Sequence, residues 1–139
     1  MIEKIVSGGQ TGADQAALDV AIGFGIPHSG WIPKGRKTED GPLPKKYQMQ
    51  EMPTASYEKR TQQNIVESHG TLLISHGKLT GGSALTRRLA KIHKRPFLHI
   101  DLKKTGAFLA AAKIIIWLHQ YEITILNSRQ LKGTLVATN

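Results

Sequence analysis

The chain has 139 residues, 40% hydrophobic and 21% charged, with 19 Lys and Arg against 10 Asp and Glu for a formal charge of +9, and it contains no cysteine. That length suits one domain, expected over residues 1–139, with a core that needs no covalent staple, and the composition excludes a disordered chain. Disulfides, thiolate metal sites, iron–sulfur clusters and thiol nucleophiles are excluded as well, and the longest apolar stretch, Ala107 to Leu118, is broken by Lys113 and falls short of the ~20 residues a spanning helix needs.

Met1-Ile2-Glu3-Lys4 runs without a charged-then-apolar leader into Lys4-Ile5-Val6, a short buried strand, so a soluble cytoplasmic protein with no membrane partner is expected. Thr11 to Phe24 reads as a helix whose apolar stripe includes Ala13, Ala16, Ala17 and Val20, stopped by Gly25. A second strand is expected over Ile26 to Ile32, then a long loop from Pro33 to Pro44, rich in proline, glycine and charge. Tyr57 to Ser68 is a helix capped by Thr54 or Ser56, with Ile65 and Val66 turned inward. Thr71 to Ser75 is the clearest buried strand, followed by a helix from about Ser83 to His93. A strand over Pro96–Ile100, a helix over Ala107–Gln120 and a last strand over Glu122–Leu126 complete the series. Short apolar strands alternating with helices imply an α/β fold: a Rossmann-like, doubly wound, mainly parallel sheet of about five strands with helices on both faces. Ligands of such sheets bind beyond the carboxyl ends of the strands.

Two glycine loops lie at such positions. Ser7-Gly8-Gly9-Gln10-Thr11-Gly12 leads from the first strand into a helix, with Asp14 in its first turn. The strand over Thr71–Ser75 leads through His76-Gly77-Lys78-Leu79 to Thr80-Gly81-Gly82-Ser83, with Thr86 one turn on. Glycine lets a backbone approach a ligand closely, and the free amides of a helix start favour an anion such as phosphate. The first strand is expected beside the Thr71–Ser75 strand, so that both loops flank the switch point of the sheet. The first loop has neither the G-x-G-x-x-G nor the G-x-x-x-x-G-K-[ST] spacing, so neither a standard dinucleotide site nor a P-loop is indicated, and a tight strand-to-helix turn is the alternative reading. Lys34 and Arg36 in the long loop suit phosphate neutralisation, and Glu39 and Asp40 suit a sugar, a base or a metal ion; a solvated charged loop explains the same run.

In these stretches, with Ala17-Leu18-Asp19-Val20-Ala21, Gly30-Trp31-Ile32-Pro33-Lys34-Gly35-Arg36 and Glu39-Asp40-Gly41-Pro42, the sequence resembles the putative molybdenum carrier family from about Ile5 to Leu126. That family is similar to a wider Rossmann-like group holding the molybdenum cofactor carrier proteins and the cytokinin-activating phosphoribohydrolases. The resemblance implies a small ligand that is a nucleotide or a pterin carrying phosphate, molybdenum cofactor among them. Ligand-binding residues are expected at Ser7, Gly8, Gly9, Gln10, Thr11, Gly12, Asp14, Lys34, Arg36, Asp40, Thr80, Gly81, Gly82, Ser83 and Thr86. The phosphoribohydrolases place a glutamate shortly after a proline-glycine-glycine loop. Here that loop is Thr80-Gly81-Gly82, Arg87 and Arg88 stand where the acid is sought, and no carboxylate lies between Ser68 and Ile100. A binding protein is therefore the first reading, and N-glycosidic cleavage of a nucleoside monophosphate, using Asp14, Glu39 or Asp40, is the alternative. The chain beyond Asn127 also departs from the glycine-proline-arginine continuation of the relatives.

The basic surplus favours anionic partners in general. Arg87, Lys91 and Lys94, however, make a solvated helix face opposite Leu85, Leu89 and Ile92, and aromatics are only 6%, so nucleic acid is not the expected partner. The histidines at 28, 69, 76, 93, 99 and 119 form no H-x-x-x-H pair, so no metal site is expected, though His76 follows a strand on the binding edge. Trp31 suits stacking on a ring as well as core packing. Ile114–Ile116 and Trp117 suit burial against the sheet, and the same apolar surface would serve a homo-oligomer, which is expected.

Overall fold

A computed structural model describes residues 1–10, 13–38, 40–79 and 81–130. In chain order the elements are β1 (Lys4–Val6), α1 (Ala13–Gly23), β2 (His28–Ser29), β3 (Trp31–Ile32), β4 (Lys37–Thr38), β5 (Gly41–Pro42), β6 (Gln50–Glu51), α2 (Tyr57–Val66), β7 (Gly70–Ser75), α3 (Gly81–Ile92), β8 (Phe97–Asp101), α4 (Ala107–Gln120) and β9 (Ile125–Gln130). Five strands form one sheet in the order β2-β1-β9-β7-β8, and every neighbouring pair is parallel. The fold is the expected Rossmann-like α/β sheet.

The pleat divides the core. Leu72 and Ile74 of β7 stand opposite Leu98 and Ile100 of β8, and these four share one face. They meet Ala110, Ile114, Trp117 and Leu118 of α4, with Ile123 and Leu126 closing the cluster. The other face carries Phe97, which packs with Ile65 of α2 and with Leu85, Leu89 and Ala90 of α3. Helix α2 begins where expected, because Ser56 accepts the Lys59 amide at 3.3 Å and so satisfies one of the free donors of the first turn. Among the described residues no helix is long and apolar enough to cross a membrane.

Three expectations change. The strand expected over Ile26–Ile32 is split into β2 and β3 at Gly30, whose φ of 145° and close approach to β1 exclude a side chain: a Cβ there would stand 2.0 Å from the Ser7 carbonyl oxygen. β3 then leaves the main sheet and pairs with β6, while the loop after it holds a small antiparallel pair, β4 with β5. The last strand forms at Ile125–Gln130 rather than Glu122–Leu126. Glu122 adopts a left-handed φ of 52° at the end of α4, and Ile123 plugs the core before the strand begins. Finally, β1 does not lie beside β7; β9 separates them and pairs with both. Counted with β9 first, the sheet reads 3-2-1-4-5, the doubly wound Rossmann order, so the strand that usually opens the fold here closes it.

Trp117 is 7% exposed and central to the α4 cluster, whereas Phe108 on the same helix is 92% exposed. Urea unfolding should show Trp117→Ala losing about 3–5 kcal/mol and Phe108→Ala changing stability by no more than about 0.5 kcal/mol.

Candidate functional site

Because the sheet is wholly parallel, the loops after β1 and β7 leave from the same edge. The end of β9 lies between them, and the first turn of α2 crosses over it. Three side chains enter this space that the sequence alone did not mark: Tyr57 and Arg60 from α2, and Arg129 from β9. Arg129 stands opposite Leu73, and strand alternation turns it toward the face covered by α2 and α3.

Arg60 is 1% exposed. Its Nη1 donates to the Gly8 carbonyl at 3.0 Å, and a Cβ on Gly8 would stand 2.2 Å from that nitrogen, so only glycine admits the contact. Its Nε and Nη2 are buried with no protein partner. These two nitrogens share one edge of the guanidinium, the fork that grips two oxygens of a carboxylate or phosphate. Both arginines lie over the Tyr57 ring, Arg60 at 4.7 Å and Arg129 at 5.4 Å from its centroid. Arg129 donates to the hydroxyls of Thr86 and Tyr57, and its Nε is also buried without a partner. On the second loop, a Cβ on Gly82 would stand 2.7 Å from the Tyr57 hydroxyl. Tyr57 and the two guanidiniums thus bridge the two glycine loops.

The expected site residues divide by location. Gly8, Asp14, Gly82 and Thr86 border the arginines: the Asp14 carboxylate approaches Gly8 and interacts with Arg60, and Thr86 is fully buried, donating to the Gly82 carbonyl at 2.9 Å. Ser7 holds the first loop itself, donating to the Asp14 carbonyl at 3.0 Å and accepting from the Gly9 amide at 3.3 Å. Gly9 faces the other way, toward Ile32 and Leu43. Gln10 reaches the Lys37 carbonyl, which ties the first loop to the β3–β5 segment. Ser83 is buried in the first turn of α3, and Gly81 opens that helix. Lys34 and Asp40 are exposed. Arg36, expected to grip phosphate, instead pins its own loop: its guanidinium donates to the carbonyls of Leu43, Pro44 and Tyr47 at 2.9–3.2 Å. Thr11, Gly12, Glu39 and Thr80 lie outside the described residues. Trp31 is held by α2, its ring N–H donating to Glu67 and its amide to Asn64 at 2.7 Å. Nδ1 of His76, the histidine on the binding edge, is buried without a protein partner. Among the described residues no group of three or more His, Asp or Glu is placed to hold a metal ion.

The arrangement is cationic and unbalanced. Burial pushes the Arg60 guanidinium below its ordinary value and the neighbouring Arg129 adds to this, while Asp14 and Tyr57 oppose it. A buried ion without full pairing costs several kcal/mol, and two orphaned N–H groups on the fork add to that cost. Among the described residues, the two guanidiniums thus keep buried N–H groups that no acceptor meets.

The fold and its edge define a Rossmann-like α/β protein. The chain belongs to the circularly permutated YpsA SLOG family, whose model matches residues 5–129. The permutation agrees with the sheet, in which moving β9 to the front restores the doubly wound order. The chain is also similar to a crystal structure described as a putative molybdenum carrier protein from Syntrophus aciditrophicus SB, at 53% identity and a TM-score of 0.92, over 95% of this chain and 84% of that one. No curated protein matches. The resemblance to molybdenum carriers within a Rossmann-like group is thus borne out.

If Arg60 is held for a ligand at the expense of the fold, the ligand-free Arg60→Met protein should be more stable than the parent by about 1 kcal/mol or more, as for other buried ions replaced by apolar groups of similar volume. Urea unfolding in a buffer free of phosphate and sulfate tests this. A loss of stability would mark the Gly8 contact as a structural clamp.

Proposed function

We propose that the chain binds the phosphate of a small nucleotide- or pterin-type ligand between its two glycine loops. The observation that carries this is the buried Arg60 fork, orphaned at Nε and Nη2 and placed beside Arg129 and the start of α3. A phosphate dianion offers two oxygens to that fork and a third to Arg129 Nε, and it sits favourably before the free amides of a helix start. Gly8, Gly81 and Gly82 would give the backbone close approach, with Ser83 and Thr86 at the same edge. The exposed Lys34 and Asp40 would act only at the rim. Molybdenum cofactor, a pterin bearing a phosphate, has the group these residues suit, and the similar structure is described as a putative molybdenum carrier protein. On this reading the cofactor is cargo, and its phosphate is the part held by the residues named here.

N-glycosidic cleavage of a nucleoside monophosphate is the second reading. It is favoured by the Asp14 carboxylate, buried near Gly8 and Arg60, which could reach a bond close to a bound phosphate.

Inorganic phosphate and a panel of nucleoside monophosphates, followed by calorimetry and thermal shift, test both. Binding should weaken by about tenfold or more in Arg60→Gln, which loses the two bonds of the fork, and in Arg129→Gln, which loses one, since each charge-assisted hydrogen bond is worth about 1.5–3 kcal/mol. Equal affinity in all three proteins would overturn the site. Release of free base on incubation would select the hydrolase, and binding without turnover the carrier.

A further inference from the structure

A cavity of about 460 Å³ lies beside α3 and is lined by Lys78, Arg87, His99, Asp101, Lys104 and Thr105 among others. Its position follows from the sheet. Leu73 of β7 stands opposite Arg129 on one side and His99 on the other, so the two sites straddle β7 at about 10 Å, two strand spacings. Adjacent residues of α3 serve the two: Thr86 meets Arg129, and Arg87 lines the cavity.

The cavity has surplus positive charge. Three cations face its one aspartate, Asp101, whose Oδ1 accepts the amides of Gly77 at 2.7 Å and Lys103 at 2.9 Å. Among the described residues the ion pair present is Lys46 with Asp19, elsewhere in the fold, so Lys78, Arg87 and Lys104 have no carboxylate within pairing distance. His99 is fixed rather than floating. Ser75 Oγ lies 2.6 Å from His99 Nε2 and 2.7 Å from the Gly77 carbonyl. The hydroxyl has one proton, which goes to Gly77, so Nε2 must be the donor to Ser75, and Nδ1 is the nitrogen left to gain a proton. The same bookkeeping removes Ser75 as a nucleophile, because His99 cannot accept its proton in this arrangement.

We propose that this cavity is a second oxyanion site, one that takes a phosphate group among Lys78, Arg87 and Lys104 above His99. Burial first, then Arg87 and Lys104, hold the imidazole below its ordinary value, against the pull of Asp101. An entering anion offsets those cations and favours the imidazolium, so phosphate and a proton bind together. The phosphate comes either from a separate molecule or from the far end of a longer ligand anchored at Arg60.

The test is the pH titration of the His99 Cε1–H NMR signal in the full chain, with and without inorganic phosphate. Saturating phosphate should raise the midpoint by about one unit in the parent and in Arg60→Gln. By linkage, phosphate then binds the protonated form about tenfold more tightly than the neutral one. The shift should fall by more than half in the Arg87→Gln/Lys104→Gln protein, whose substitutions are at exposed positions. A midpoint that ignores phosphate, or moves equally in that double variant, overturns the site. Arg60→Gln keeps this outcome separate from the fate of the first pocket. A nucleoside diphosphate that moves His99 in the parent but not in Arg60→Gln identifies one bridging ligand, and a shift in both identifies a separate one.

Discussion

The chemistry of the carboxyl edge turns on one interaction, the donation from the buried Arg60 guanidinium to the Gly8 carbonyl. That contact joins α2 to the first loop at a point where a Cβ on Gly8 would meet the guanidinium. Among the described residues, Nε and Nη2 of that guanidinium have no hydrogen-bond partner. Tyr57 completes the bridge by offering its ring to both arginines and its hydroxyl to Arg129, with Gly82 close behind. A protein selected for stability alone would fill this volume with apolar atoms, as it does on the α4 side of the sheet. That it retains two cations here is the observation on which the proposed phosphate site rests.

Much of this was legible in sequence, and the parts that were not share a cause. The apolar strands, the cap at Ser56 and the helices announced themselves because periodicity and capping are local. The glycine loops did so because few other functions require clustered glycine after a strand. Arg60 gave no such signal: in Tyr57-Glu58-Lys59-Arg60 it reads as one more charge on a solvated helix turn. Arg129 was hidden differently. Asn127-Ser128-Arg129-Gln130 looks like a polar tail, yet it is the carboxyl half of the central strand. A polar end to an otherwise apolar parallel strand is the pattern that could have found it, because that end is where such sheets meet their ligands. Arg36 failed in the opposite sense. Its loop looked like a phosphate clamp, but a left-handed turn at Arg36 needs its carbonyls tied, and the guanidinium supplies that from within.

The permutation also explains why the expected neighbour of β1 was wrong. Adjacent placement of β1 and β7 assumes that the chain begins at the central strand. Here the centre is filled from the other end, and the strand inserted there carries a cation to the point where the two loops face each other. The glycine loops are kept one strand further apart than the unpermuted reading allows. The extra width is occupied by Tyr57 and the arginines, so side-chain charge stands where two bare loops would present backbone amides alone.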